Sequence, residues 1–145
     1  MKSTINYSLI YSLILLMAIA TACGSKEAAR EEDDVEWKEM DDFHAVMADV
    51  YHPLKDSNNL APIKSGADDL AAAAAKWAQS TLPAKVDNDE TKELLAQLES
   101  GTQDLAKKIG TATDEEIASQ LTSLHDTFHS IMEKWHSSDS EEHQH

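Results

Sequence analysis

The chain has 145 residues, with 27 acidic side chains against 12 basic ones and a formal net charge of −15 at neutral pH. Nothing in it resembles a basic stripe, which argues against nucleic-acid binding, because affinity there comes from cations placed on phosphates. The acidity favours solubility and the attraction of cations, without saying which cation.

Residues 1–22 have the anatomy of a signal peptide: Lys2 near the terminus, an apolar run from Leu9 to Ala20, and small residues before Cys23. The run is too short for a membrane-spanning helix. Ala20-Thr21-Ala22-Cys23 resembles the lipobox of bacterial lipoproteins, with Ala20 where the usual leucine stands. The resemblance implies that Cys23 is lipidated and becomes the first residue of the mature chain, which then meets the membrane through its lipid. Cys23 is the sole cysteine, so no disulfide forms within the chain. Cleavage removes Lys2 and leaves 11 basic residues against the same 27 acidic ones, a formal charge of −16. Gly24 in place of an aspartate offers no inner-membrane retention cue, so the expectation is a periplasm-facing domain on the outer membrane.

Residues 23–34, including GSKEAAREEDD, have no apolar periodicity and read as a flexible tether. One domain is expected over 35–138, long enough to bury a core of its own. Trp37, Met40, Phe43, Met47, Val50, Tyr51 and Leu54 recur at helical spacing, so a first helix begins near Val35, and Pro53 ends or kinks it near His52. SNNLAP is a turn, with Pro62 suited to the opening of a second helix that runs to about Ser80. Its inward face is Ile63, Ala67, Leu70, Ala74, Trp77 and Ala78. The alanines there either allow close helix packing or leave room for something flat, and close packing is the simpler reading. Pro83 ends that helix.

Asp87 with Glu90 has capping-box spacing, and Leu94, Leu98, Leu105 and Ile109 mark a third helix that stops at Gly110. Gly101 inside it lowers helix propensity by about 1 kcal/mol relative to alanine, making this helix the least regular of the set. Thr113 and Glu116 form a second capping box. Ile117, Leu121, Leu124, Phe128, Ile131, Met132 and Trp135 then lay one apolar stripe along a fourth helix to His136. No strand alternation or internal repeat competes, so the fold class is all-α, an antiparallel up-down-up-down four-helix bundle. Residues 139–145 read as a disordered acidic tail carrying His143 and His145.

His125, His129 and His136 form a stripe beside the apolar face of the fourth helix, as His44 does on the first. If these two helices run in opposite directions, His44 lies about 12 Å from one end and His129 about 10 Å from the matching end, while Met47 and His125 coincide at about 16 Å. His44, Met47, His125 and His129 can therefore form one metal site between helices one and four. His52 joins them only if a kink at Pro53 turns it inward. Imidazoles suit copper, zinc, nickel and iron, and a thioether favours Cu(I), so copper is the expected ion, with zinc or nickel as alternatives. There is no Gly-rich phosphate loop, no cysteine nucleophile other than Cys23 and no Ser-His-acid set, so the chain does not read as an enzyme. Metal handling or sensing is the expected role; the competing structural reading makes the methionine core filler and the histidines ordinary seam residues.

The run L-T-S-L-H-D-T-F, Leu121 to Phe128, resembles the haem-attachment helix of cytochrome c prime and related four-helix cytochromes, whose pattern is C-x-x-C-H-x-x-[YF]. FHAVMADVYHPL and PIKSGADDLAAAA resemble the first two helices of that group, and the likeness spans residues 35–138. His125 stands where the axial histidine would be, Met47 where a b-type bundle places its second axial ligand, and Leu121 and Leu124 where the two cysteines would be. Without those cysteines covalent haem c cannot form. The resemblance leaves non-covalent haem b on Met47 and His125 as the alternative cofactor. The paired signature F-H-x-x-M and L-H-D-x-F-H is similar to haemless bacterial relatives. A structural or partner-binding lipoprotein is the third reading, and the sequence does not name a protein partner.

Overall fold

The computed structural model describes residues 36–141, with side chains through Ser137; the expected signal peptide, Cys23, the expected tether, His143 and His145 lie outside the described residues. Four α-helices make up the bundle: α1 Lys38–Ser57, α2 Ala61–Ala78, α3 Asp89–Lys108 and α4 Asp114–Glu141. A 3-10 turn, Ala84–Val86, precedes α3. No strand occurs among the described residues. None of their helices is long and apolar enough to cross a membrane.

The apolar stripes read from the sequence for α1, α2 and α4 are buried, except that Tyr51, Ala78 and Met132 are half-buried beside the core. Met40, Phe43, Met47, Val50 and Leu54 of α1, Ile63, Ala67, Leu70, Ala74 and Trp77 of α2, and Ile117, Leu121, Leu124, Phe128, Ile131 and Trp135 of α4 share one core. Each helix packs on the next, and α4 closes back onto α1. Aromatic rings tie one end together: Trp37 lies 5.1 Å from Trp77 and 5.5 Å from Trp135, and Phe43 lies 5.4 Å from Trp77 and 5.6 Å from Phe128. Side chains also fix which ends meet. Asp42, near the start of α1, pairs with Lys76 near the end of α2 at 2.9 Å, and Lys134, late in α4, pairs with Glu90 at the start of α3 at 2.7 Å. Exposed pairs of this kind mark register more than they add stability.

Several boundaries differ from the sequence reading. Helix α1 starts at Lys38, and Trp37 occupies its N-cap position without a side-chain cap, fully buried by its indole. Pro53 does not end α1; it sits in the last turn, and buried Leu54 holds that turn against the core as far as Ser57. There Asn58 takes a left-handed conformation at φ 54°, and the freed carbonyls are met by Asn58 N–H on Leu54 at 2.8 Å and Asn59 N–H on Pro53 at 3.0 Å. The cap of α3 is Asn88, whose Oδ1 accepts from Thr91 N–H at 2.9 Å, in place of the expected Asp87 and Glu90 pair. Thr91, Leu95 and Thr102 join Leu98 and Leu105 on the buried face of α3, while Leu94 and Ile109 are half-buried at its edge. Gly101 does not break α3: a Cβ there would lie 2.6 Å from Leu124 Cδ2, so any larger residue would force the Leu124 side chain to move. Helix α4 runs past 138 to Glu141.

Candidate functional site: a histidine pair on the last helix

The phase of α4 is set at its start. Thr113 N–H donates to Glu116 Oε2 at 2.8 Å, and Glu116 N–H donates to Thr113 Oγ1 at 3.2 Å, the reciprocal bonds of a capping box. From there Leu124 and Phe128 turn inward, and His125 and His129, each one residue later, fall about 100° to the side. Four residues apart, the two histidines stand on adjacent turns of one face. Their Nε2 atoms are 3.1 Å apart.

Helix α1 covers this pair. The ring of Tyr51 lies flat on His125, with centroids 3.8 Å apart and planes 14° from parallel, and His44 stacks on Phe128 at 5.0 Å and 27°. Phe128 in turn meets the edge of His129 at 5.6 Å. As numbers rise along α1 they fall along α4: Trp37 meets Trp135, His44 meets Phe128, and Tyr51 meets His125. The levels inferred from spacing are therefore close to those observed.

The His125 side chain retains 21% of its surface, and the Asp126 carboxylate lies 3.7 Å from its Nδ1. Nδ1 itself is buried and makes no hydrogen bond in this arrangement, so the Asp126 contact is electrostatic in kind. Burial, then the neighbouring His129, push the His125 pKa below the ordinary histidine value of 6.5, against an opposing pull from Asp126. The ring is thereby held neutral, the form in which it can donate a lone pair. With the proton on Nδ1, His125 Nε2 accepts from His129; in the other tautomer it donates. A metal-binding histidine usually donates its other ring N–H to a carboxylate, and Asp126 stands beside Nδ1 at 3.7 Å without making that bond.

The other candidates are placed less favourably. Met47 is fully buried in the core, and the α1 side chain lying on His125 is Tyr51, one turn further along. His44 is exposed and stacked on Phe128, outside the pair; His52 and His136 are also exposed, His136 near the end of the stripe. Among the described residues, no group of three or more His, Cys, Asp or Glu side chains is arranged to hold a metal ion. Sequence reasoning missed two contributors: Tyr51, counted only in the apolar stripe, and Asp126, given no part in the site. The adjacency of His125 and Asp126 was visible, but it does not by itself bring the carboxylate to Nδ1.

Two nitrogens bound at about 2.0–2.1 Å to one ion stand about 2.9 Å apart at a right angle and about 3.3 Å apart in a tetrahedron. The 3.1 Å separation, a hydrogen bond between the two rings, falls between these, so one ion can take the place of the shared proton once both lone pairs turn towards it. Axial ligation of haem fits these residues poorly, since Tyr51 covers one face of His125, its Nε2 is directed at His129, and Met47 is enclosed by core side chains. A cavity of about 270 Å³ near the end of α2 is lined by Ala78, Leu82, Lys92 and Glu99 among others, and neither Met47 nor a histidine lines it. No protein-family model matches the chain, and neither a curated protein nor a solved structure matches it.

Proposed function

We propose that this protein is a bacterial lipoprotein, anchored through Cys23, whose periplasm-facing up-down-up-down bundle binds a transition-metal ion for handling or sensing. The observation that carries the reading is the His125 and His129 pair, with Nε2 atoms 3.1 Å apart and Asp126 behind one of them. The descending order of contacts between α1 and α4 supports the antiparallel arrangement. Copper is favoured over nickel and zinc because a nitrogen site binds divalent copper most tightly in the Irving–Williams order. His44, stacked on Phe128 next to His129 in sequence, is the further donor proposed from α1. Met47 joins only if the seam between α1 and α4 opens. The likeness to cytochrome c prime enters as the proposed origin of the fold, with binding of an ion in place of haem and no catalytic role.

The test uses the chain carrying His143→Ala and His145→Ala, so that the tail does not compete. Cu(II) should bind near one equivalent and raise the melting temperature, since a ligand bound only by the folded state stabilises it. His125→Ala or His129→Ala should abolish that shift. A chain that binds none of copper, zinc or nickel, or whose affinity ignores both substitutions, refutes the reading. Haemin is the control for the second cofactor: a stoichiometric Soret shift lost with Met47→Leu or His125→Ala would make a b-type haem carrier the better account. Anchoring is checked separately, because Cys23→Ser should release the protein from the membrane fraction or block its maturation.

A further inference from the structure

The imidazole of His125 is attached through a torsion that is broad and nearly two-fold, so a histidine on an open helix face samples many ring orientations. In this bundle the ring has three neighbours, and each restrains a different motion. His129 lies across its Nε2 edge at 3.1 Å, and Asp126 lies 3.7 Å from Nδ1. Neither opposes rotation once an ion has replaced the proton between the two histidines, because that hydrogen bond is then gone and Asp126 makes none. Tyr51 does: its ring is parallel to His125 within 14° at a centroid distance of 3.8 Å, which is face-to-face contact.

Tyr51 comes from a different helix, and its placement follows from the α1 sequence. It stands seven residues after His44, two turns on and within about 20° of the same face. Both residues lay a ring on α4, His44 on Phe128 and Tyr51 on His125. Val50 and Leu54 beside it are buried, so the backbone that carries Tyr51 is fixed by core packing. The phenol ring is thus a wall delivered by α1 against the face of an α4 imidazole.

Resting on the metal-binding reading above, we infer that Tyr51 is the positioning residue of the site: by stacking on His125 it holds Nε2 beside that of His129 at a separation suited to one ion. The stack pre-forms the bite, so metal binding need not order the ring, and it makes affinity depend on the fit of α1 against α4. The flat ring is the operative feature, and the hydroxyl is dispensable. Loss of an outer partner that orients a metal-binding histidine lowers affinity by about 10- to 100-fold.

The experiment compares Tyr51→Phe, Tyr51→Leu and Tyr51→Ala in the full chain carrying His143→Ala and His145→Ala, titrated with Cu(II) and followed by paramagnetic resonance. Tyr51→Phe should bind within about twofold of the parent with the same spectrum, while Tyr51→Leu, which keeps apolar bulk, should bind about 10-fold more weakly with altered copper hyperfine values. Tyr51→Ala should show at least the same loss. Val46→Ala, which trims a half-buried α1 side chain on the core, is the control: it should lower the melting temperature without moving the copper spectrum. If the parent binds copper through His125 and Tyr51→Leu binds equally well with an unchanged spectrum, the positioning role is overturned and the histidine pair stands. If Tyr51→Phe loses as much as Tyr51→Leu, the hydroxyl and not the stack is responsible, which also overturns it. A parent that binds no copper removes both proposals.

Discussion

Replacing Ala74 with leucine distinguishes a close-packed helix interface from a slot left open for a flat ligand. Ala74 retains 1% of its surface and lies one turn from both Leu70 and Trp77, which are fully buried. Leucine adds three carbons at nearly the same helix propensity, so the backbone preference contributes little. Were there a slot, burying those carbons at about 0.8 kcal/mol each would stabilise the fold by about 2 kcal/mol. In a packed interface the same carbons force rotamer and backbone shifts that destabilise by about 1–3 kcal/mol. With α1 and α3 packed on either side of α2, the second sign is expected. A loss of about 2 kcal/mol corresponds to a fall of roughly 8 °C in melting temperature for a domain of this size. Urea unfolding should show a lower midpoint at unchanged slope, and Ala72→Leu, at an exposed position, should stay within about 0.5 kcal/mol of the parent. A midpoint raised by Ala74→Leu would refute close packing and reopen the case for a flat ligand.

Asn88→Ala removes the acceptor for Thr91 N–H and should cost about 1 kcal/mol in urea unfolding, whereas Asp87→Ala should not reproduce that loss of a cap. Gly101→Ala should behave oppositely in two backgrounds: it clashes with Leu124 in the parent, but after Leu124→Ala it should stabilise by about 1 kcal/mol through propensity alone, and additive effects would refute the contact. Because the folded pKa of His125 lies below its unfolded value of 6.5, the unfolded chain binds the proton more readily, and metal-free stability should fall as pH drops from about 6.5 through the folded pKa. His125→Gln should remove that component of the pH profile, and identical profiles would refute it. Glu116, depressed below 4.5 by its bonds to Thr113, should contribute stability above that value and lose it as pH falls through the folded pKa; Glu116→Gln should flatten this acid limb.

What the sequence made legible was local or periodic. The capping box at Thr113 and Glu116 needs only residues three apart, and the stripes of α1, α2 and α4 need only the 3.6-residue period. The choice between Asp87 and Asn88 was not legible, because both can cap, and core burial of Thr91 favours the later start. Pro53 misled because its missing N–H and ring clash act on a single carbonyl one turn back, and burial of Leu54 in the core offsets that cost. At the site, counting along the helices placed Met47 level with His125, but level is not direction. Side chains on a helix lean towards its N-terminus, so His125 leans towards later residues of α1 while Tyr51 leans back, and the two rings meet between their backbone levels. Met47 points into the core instead. That distinction depends on how α1 is rotated against α4, a long-range quantity that no window of sequence contains.

Trp37 has a mechanical consequence. It precedes the first helical residue, yet its indole is fully buried between Trp77 of α2 and Trp135 of α4. Helix ends ordinarily fray first when a chain is pulled. Here tension arriving from ahead of Glu36 meets an indole wedged against two other helices before it reaches the first turn of α1. The load is shared at once with α2 and α4, and α1 cannot be unwound from its start until that ring has been drawn out of the aromatic nest.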